Sequence, residues 1–220
     1  VSPYYDDFDT NDNFHRVLFR PGFAVQAREL TQLQSILQNQ IERHGQNIYK
    51  DGTVIIPGQV SISNAYTSIQ LASQFGGEDV VVAQYLNTTT PVTITGVTSG
   101  VKAQVIGVKA GTSTTQPVLY LQYIATGTDN ATTTFSNSEN ITADASVTHT
   151  TTYATNVASA TTHTSAAQTG VSAKVENGVY YIKGQFVRVA EQTHVISDSD
   201  PTATARVGFS ITESLITPEA

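Results

Sequence analysis

Few residues in the chain could carry chemistry, and their spacing predicts no reactive site. The chain has no cysteine, which excludes disulfides, thiolate metal sites and cysteine nucleophiles. No two histidines stand four residues apart, as a helical metal site requires, and none lies at metal-ligand spacing from a carboxylate. His44 falls within a periodic apolar series, so we interpret it as a packed imidazole of the core or of an interface. The five histidines are His15, His44, His149, His163 and His194.

The acidic segment 7–12 begins like a calcium-binding EF-hand loop. The match fails at the sixth position, where Asp12 replaces the required glycine, and at the twelfth, where Leu18 replaces the bidentate glutamate. The chain also lacks a phosphate-binding P-loop and a Gly-x-Ser-x-Gly nucleophile motif. Two carboxylates could still meet in space, although the 18 acids are scattered and single out no pair. We therefore predict that the protein is not an enzyme and has no cofactor or metal site.

The composition restricts the classes of partner. Charged residues make up 13% of the chain, about half of the usual share, and hydroxyl and amide side chains supply most of its polarity. A net charge of -7 disfavours binding to a nucleic-acid backbone, which needs clustered lysine and arginine. No apolar run approaches the ~20 residues of a membrane-spanning helix. We expect neither nucleic acid nor membrane as a partner.

Residues 1–23 have no hydrophobic periodicity and are predicted to form an extended docking arm. The arm is rich in aromatic and acidic residues and ends at a proline-glycine turn at 20–22. A short irregular segment cannot bury so many aromatic rings on itself. We therefore expect four of them to contact a neighbouring subunit: Tyr4, Tyr5, Phe8 and Phe14.

Residues 24–52 are predicted to contain one amphipathic helix, from about 24 to 49. Its apolar side chains recur at steps of three and four, the period of one helical face: Leu30, Leu33, Leu37, Ile41, His44 and Ile48. We expect this stripe to pack against the chain's own first strands, 54–56 and 60–62. The remaining surface is rich in glutamine, which indicates either a solvated amide face or a face that meets other protein. Under the second interpretation Gln34 and Gln38 lie in a partner interface.

The rest of the chain is strand-like. Short apolar or alternating runs separated by glycine, serine and threonine turns predict small β-sandwich or barrel modules. Residues 53–90 and 171–220 are assigned to a β-domain, and 91–170 to an inserted β-module with a Thr/Ser-rich loop. Further strands are expected at 79–82 and 205–211, and a hairpin is expected to turn at 183–184. The predicted fold class is mainly β with one long N-terminal α-helix and an extended N-terminal arm.

Seven segments of the sequence carry a resemblance to known proteins: 3–9, 13–22, 24–34, 40–43, 50–58, 178–187 and 205–211. They resemble the N-terminal domain family of large tail-fibre or baseplate-associated structural proteins of tailed bacteriophages, of the cyanophage and marine phage type. The middle of the chain, about 85–170, matches poorly, although 96–103 resembles a small β-module that recurs in phage structural proteins.

The resemblance implies a virion structural protein, specifically the N-terminal attachment part of a tail-fibre or baseplate protein that links the tail to distal fibre parts. It implies a homotrimer, made in the host bacterial cytoplasm and located in the phage tail, with other tail and baseplate proteins as partners. It also implies a chain that continues beyond residue 220, and it brings no catalytic residue. The alternatives are a receptor- or glycan-binding host-recognition module, built on the Thr/Asn-rich segment 126–170, and a neck or collar structural protein.

The purified protein should show no hydrolytic or redox turnover and should retain no metal ion after gel filtration, because no constellation of side chains supports either. Elemental analysis of the gel-filtered protein tests this expectation. Stoichiometric calcium or zinc would contradict it and would point first to Asp7, Asp9 and Asp12.

Overall fold

The computed structural model describes residues 5–87, 89–214 and 216. Within these residues the protein is mainly β with a single α-helix near the N-terminus, which confirms the predicted fold class. The elements are α1 Ala27–Gln46, β1 Val54–Ile56, β2 Val60–Leu71, β3 Gln74–Phe75, β4 Glu78–Asp79, β5 Thr93–Gly96, β6 Lys102–Lys109, β7 Val118–Ala125, β8 Asn140–Ala143, β9 Val147–Thr148, β10 Thr152–Tyr153, β11 Ala158–Val175, β12 Gly178–Ile182, β13 Gln185–Val189 and β14 Gln192–Ser197.

The chain divides into two units. The helical unit comprises Val1–Ser61 and Lys174–Gln192, and the barrel unit comprises Ile62–Ala173 and Thr193–Ala220. The predicted arm and helix fall together in the helical unit. The strands assigned from sequence to one β-domain are shared between the two units.

The barrel unit is organised by a sheet with strand order β14-β11-β2-β7-β6-β5-β8. Strand β8 pairs with β5 along one edge and with β11 along the other, so six strands close on themselves and β14 extends the sheet beyond β11. Closure removes the exposed edges that an open sheet would carry at β8. Of the two architectures considered from sequence, the barrel is the one formed.

Side chains that alternate in direction along each strand fill the interior of the barrel. In β5 and β6 the residues that point inward, such as Ile94, Ala103 and Val105, are fully buried, while their neighbours are more exposed. Between β4 and β5, residues Val82–Tyr85 form a 3₁₀ helix, and Tyr85 packs into the same core. Burial raises the pKa of the Tyr85 hydroxyl to about 12, although its 2.8 Å hydrogen bond with Ser159 opposes the shift.

Two predicted strands are wrong. Residues 79–82 are mostly not a strand, because Val82 and Tyr85 enter the core from a 3₁₀ helix instead. Residues 205–211 have an alternating pattern but form no strand and remain exposed. The Thr/Ser-rich segment 126–170, in contrast, contains β8, β9, β10 and most of β11, so the β-propensity of its threonines prevails over its loop-like composition.

The helical unit contains a three-stranded sheet of order β1-β12-β13. Strands β12 and β13 form the predicted hairpin, with Tyr181 opposite Phe186 and Ile182 opposite Gln185. Lys183 and Gly184 turn the chain with φ of 44° and 79°, the left-handed conformation that two-residue hairpin turns require. The turn prediction is confirmed.

Glu139 in the barrel unit is a buried carboxylate, 4% exposed. It joins the β5–β6 turn to the segment that precedes β8. Four donors satisfy it: the backbone N–H groups of Thr98 (3.1 Å), Ser99 (2.9 Å) and Ser136 (2.6 Å), and the Ser99 hydroxyl (2.9 Å). The carboxylate is therefore a structural acceptor, compensated by hydrogen bonds at its buried position.

Glu139→Gln should lower the free energy of unfolding of the barrel unit by about 1–3 kcal/mol, because the new amide N–H₂ faces donors that lose their acceptor. Urea denaturation followed by circular dichroism measures the change. Glu213→Gln, the same substitution at an exposed position, is the control and should have no effect. Equal stability of the two variants would contradict a structural role for Glu139.

Candidate assembly surface

Helix α1 is fastened at both ends by local contacts. At its start the backbone N–H of Gln26 donates to the Glu29 carboxylate at 2.9 Å, an arrangement that satisfies a donor left free by the first turn. At its end the N–H of Tyr49 donates to the carbonyl of Gly45 at 2.7 Å and closes the last turn. The helix is shorter than the predicted 24–49, and Ile48, the last residue of the predicted periodic series, lies in the turn that follows it.

The part of α1 that contacts the β12–β13 hairpin is small and polar. Gly45 is buried, and a Cβ placed there would lie 2.7 Å from Cζ of Tyr181 and closer still to its Oη, nearer than real Cβ contacts come. The Tyr181 hydroxyl donates to the carbonyl of Glu42 at 3.2 Å. The hairpin turn lies equally close, since a Cβ on Gly184 would be 2.8 Å from Cα of Glu42. Two glycines thus allow the β12–β13 hairpin to approach the helix backbone directly.

An aromatic cluster secures this contact. The ring of Tyr49 lies 5.4 Å from that of Tyr181 and 6.3 Å from that of Phe186, and the last two are 6.0 Å apart, all in tilted or edge-to-face geometry. The N–H of Lys183 also donates to the Asp51 carboxylate at 2.9 Å. The end of α1 and the hairpin are therefore joined by rings and by polar contacts.

The apolar stripe of α1, defined as Leu30, Leu33, Leu37, Ile41, His44 and Ile48, faces away from this contact. Its exposed fractions are 50% at Leu30, 49% at Leu37, 60% at Ile41 and 59% at Ile48, whereas the neighbouring Ile36 is 1% exposed. The expectation that the stripe packs on the chain's own strands is wrong. Val54, Ile56, Val60 and Ile62 on those strands are exposed as well. The physical reason is the glycine contact, which directs the polar side of α1 inward.

The arm is held along α1 by its acidic residues. The Ser35 hydroxyl donates to the Asp6 carboxylate, and Arg28 forms an ion pair with Asp7 at 3.3 Å. Further along, the Gln40 amide donates to the carbonyl of His15 at 3.1 Å. The arm ends in the predicted turn, where the N–H of Phe23 donates to the carbonyl of Arg20 at 3.3 Å.

The predicted interface residues lie largely at the surface of the helical unit. Tyr5 and Phe14 are exposed, Phe8 is half-buried, and Gln34 and Gln38 are exposed. Tyr4 lies outside the described residues. Contact of these side chains with another subunit stays a prediction. His44 is exposed, so its placement in the chain's own core is wrong, and its placement in an interface stays a prediction.

The described part of the helical unit exposes far more apolar side chain than it buries. Its buried hydrophobic residues are four: Ile36, Val175, Tyr180 and Tyr181. Its large exposed hydrophobic residues are fifteen, and together they define the apolar surface of the helical unit: Tyr5, Phe14, Leu18, Phe19, Phe23, Val25, Leu30, Leu37, Ile41, Ile48, Val54, Ile56, Val60, Phe186 and Val187.

The sequence predicted the apolar stripe but did not predict that the stripe is exposed at the surface of the helical unit. The available signal was Gly45 near the end of the helix, a residue that weakens a helix unless something approaches its backbone closely. The described residues include no group of three or more histidine, aspartate or glutamate side chains placed to hold a metal ion. They also include no helix long and apolar enough to cross a membrane.

The family model described as "Domain of unknown function (DUF4815)" matches residues 2–131, more than half of the chain. The matched range includes the arm, α1 and the first strands of the barrel unit. No curated protein and no solved structure matches the chain.

Gly45→Ala should destabilise the helical unit, although alanine is the better helix former by about 1 kcal/mol. The added methyl group collides with Tyr181, and overpacking of this kind costs about 1–3 kcal/mol. Thermal unfolding followed by circular dichroism measures whether the substitution lowers or raises the stability of the protein. In a Tyr181→Leu background, which makes room for the methyl group, the same substitution should become neutral or stabilising. A stabilising effect in the unmodified background would contradict the close contact.

Proposed function

The chain belongs to the family of domains of unknown function DUF4815, and we propose that it is a virion structural protein of a tailed bacteriophage. In this proposal it is the N-terminal attachment part of a tail-fibre or baseplate protein. Its helical unit binds other structural proteins of the tail, and the protein links the tail to distal fibre parts.

The apolar surface of the helical unit carries this proposal. The described residues of the helical unit include fifteen large exposed hydrophobic side chains and four buried ones. Leu30, Leu37 and Ile41 lie on one face of α1 and are each about half exposed or more. Exposed apolar patches of this kind mark sites of protein–protein interaction. A surface this apolar beside so small a core favours a subunit that functions in permanent contact with others.

The composition and the arm support the same role. Permanent interfaces exclude charge at their centres, and the charged share of this chain is 13%. The acids of the arm are used to hold it along α1, through Asp6 and Asp7, while the rings of Tyr5 and Phe14 are exposed. The arm thus presents aromatic side chains from an anchored backbone, an arrangement suited to docking. The resemblance of 3–9 and 13–22 to phage tail proteins supplies the biological setting.

The proposal can be tested on particles of the phage that encodes the chain. Antibodies raised against the purified protein should label the tail of intact particles in electron microscopy. A Tyr5→Ser/Phe14→Ser variant of the phage gene should yield particles in which this label is lost, because two docking side chains are removed.

The matched control is Val97→Ser/Ile106→Ser, which removes two exposed hydrophobic side chains from the barrel unit. Those particles should keep the label. Particles that carry no label even with the unmodified protein would overturn the proposal. Binding of the purified protein to host cells or to their surface glycans would favour a host-recognition module instead.

A further inference from the structure

We propose that the apolar stripe of α1 packs against the same stripe on a second copy of this chain, with the two helices parallel. The proposal goes beyond the proposed function, since it concerns contact between copies of the chain and names the surface that makes it. It rests on the tail role only in that both require a partner for the helical unit.

The shape of the stripe fits another helix. Within α1 its residues step along the chain by three, four, four and three, a mean close to 3.6, which keeps them on one face of the helix. This helical part runs from Leu30 to His44, about 21 Å at a rise of 1.5 Å per residue, and Ile48 lies in the turn beyond the helix. A narrow, straight apolar seam of this length is complementary to an equal seam on a second helix, in which side chains of one fill the gaps of the other.

One flank of the stripe favours an identical partner. Gln34 and Gln38 border the stripe on this side, and both are exposed. On the other side Gln40 is engaged by the arm, since its amide donates to the carbonyl of His15. When copies associate about an axis, each residue approaches its own equivalent, so charged flanks would repel each other. An amide carries both donors and acceptors and can pair with a second amide of the same kind, so the side formed by Gln34 and Gln38 is complementary to itself.

The charged residues of α1 lie off the stripe. At 100° per residue, Arg28 and Glu42 project from the opposite half of the helix. Arg28 is engaged there by Asp7 of the arm. Glu29 and Arg43 also lie outside the stripe, and the carboxylate of Glu29 accepts the N–H of Gln26. A second copy could approach the stripe without burying an ionised side chain, which would otherwise oppose association.

The position of His44 favours the parallel arrangement. It is the one polar member of the stripe and lies near its C-terminal end. In an antiparallel pair centred on the stripe, His44 would lie close to Leu33, where its ring nitrogens would be desolvated against an apolar side chain. In a parallel pair His44 meets His44, and polar groups share one layer of the seam, as in coiled coils that fix their register with a polar layer.

The exposure of the stripe indicates that its side chains are available to a partner. Leu30, Leu37, Ile41 and Ile48 are each exposed by 49–60%. Burial of these side chains in a seam between two copies would remove apolar surface from water, which favours association.

The absence of cysteine from the chain permits a direct test with single-cysteine variants of the whole protein. Leu30→Cys and Ile48→Cys mark the two ends of the stripe, and Gln46→Cys marks the opposite side of the same helix as a control. With a short bismaleimide cross-linker, Leu30→Cys and Ile48→Cys should each form covalent dimers in high yield. Gln46→Cys should stay uncross-linked.

Sedimentation equilibrium gives a second readout. Leu37→Glu should raise the dissociation constant of the assembly about a hundredfold or more, because each copy would bring a carboxylate into the seam. The fold should survive, since Leu37 is half exposed, and circular dichroism checks this. Gln46→Glu is the matched control and should leave the assembly unchanged.

A protein that sediments as a monomer at all accessible concentrations would overturn the inference, as would cross-linking at Gln46→Cys equal to that at the stripe. Failure of both end positions to cross-link in an assembled protein would overturn the parallel arrangement. These outcomes are separate from the proposed function: a monomeric protein whose antibody still labels phage tails would refute the seam alone, and a cross-linked assembly absent from particles would refute the tail role alone.

Discussion

The contact between Gly45 and Tyr181 determines how the helical unit is arranged. Because Gly45 has no side chain, the ring of Tyr181 reaches the helix backbone, and its hydroxyl donates to the carbonyl of Glu42. The hairpin turn at Gly184 comes equally close to the same helical turn. Together they fix the rotation of α1 about its own axis. Once the small and polar side of the helix is bound to the hairpin, the apolar stripe has to face outward.

The two units stabilise themselves differently. The barrel unit buries sixteen hydrophobic residues in one cluster inside a closed ring of strands, so its core is complete within the chain. Among the residues that the structure describes, the helical unit buries four and exposes fifteen. Since burial of apolar surface is the main favourable contribution to folding, a partner that covered these side chains would stabilise the helical unit. This difference is the observation on which the proposed role in assembly depends.

Carboxylates in this protein serve structure. Glu139 accepts four hydrogen bonds that join two segments of the barrel unit. Asp6 and Asp7 attach the arm to α1, and Asp9 accepts the N–H of Asn11 at 2.8 Å within the arm. The acidic segment that begins like a calcium loop is thus engaged in contacts that position the arm. The side chains of Tyr5 and Phe14 remain exposed on this anchored arm.

Local patterns in the sequence determined the secondary structure wherever neighbours along the chain are sufficient. The step of three and four residues defined α1, alternation defined β5, β6 and β7, and Lys183-Gly184 defined the hairpin turn. Tertiary structure decided which surfaces are covered. Residues 205–211 alternate but form no strand, and 79–82 are largely replaced by a 3₁₀ helix whose Tyr85 packs in the barrel core. The same holds for α1: periodicity locates an apolar stripe but carries no information on its partner. The exposure of the stripe depends on the contact between Gly45 and Tyr181, which are far apart in the chain and meet only in the folded protein.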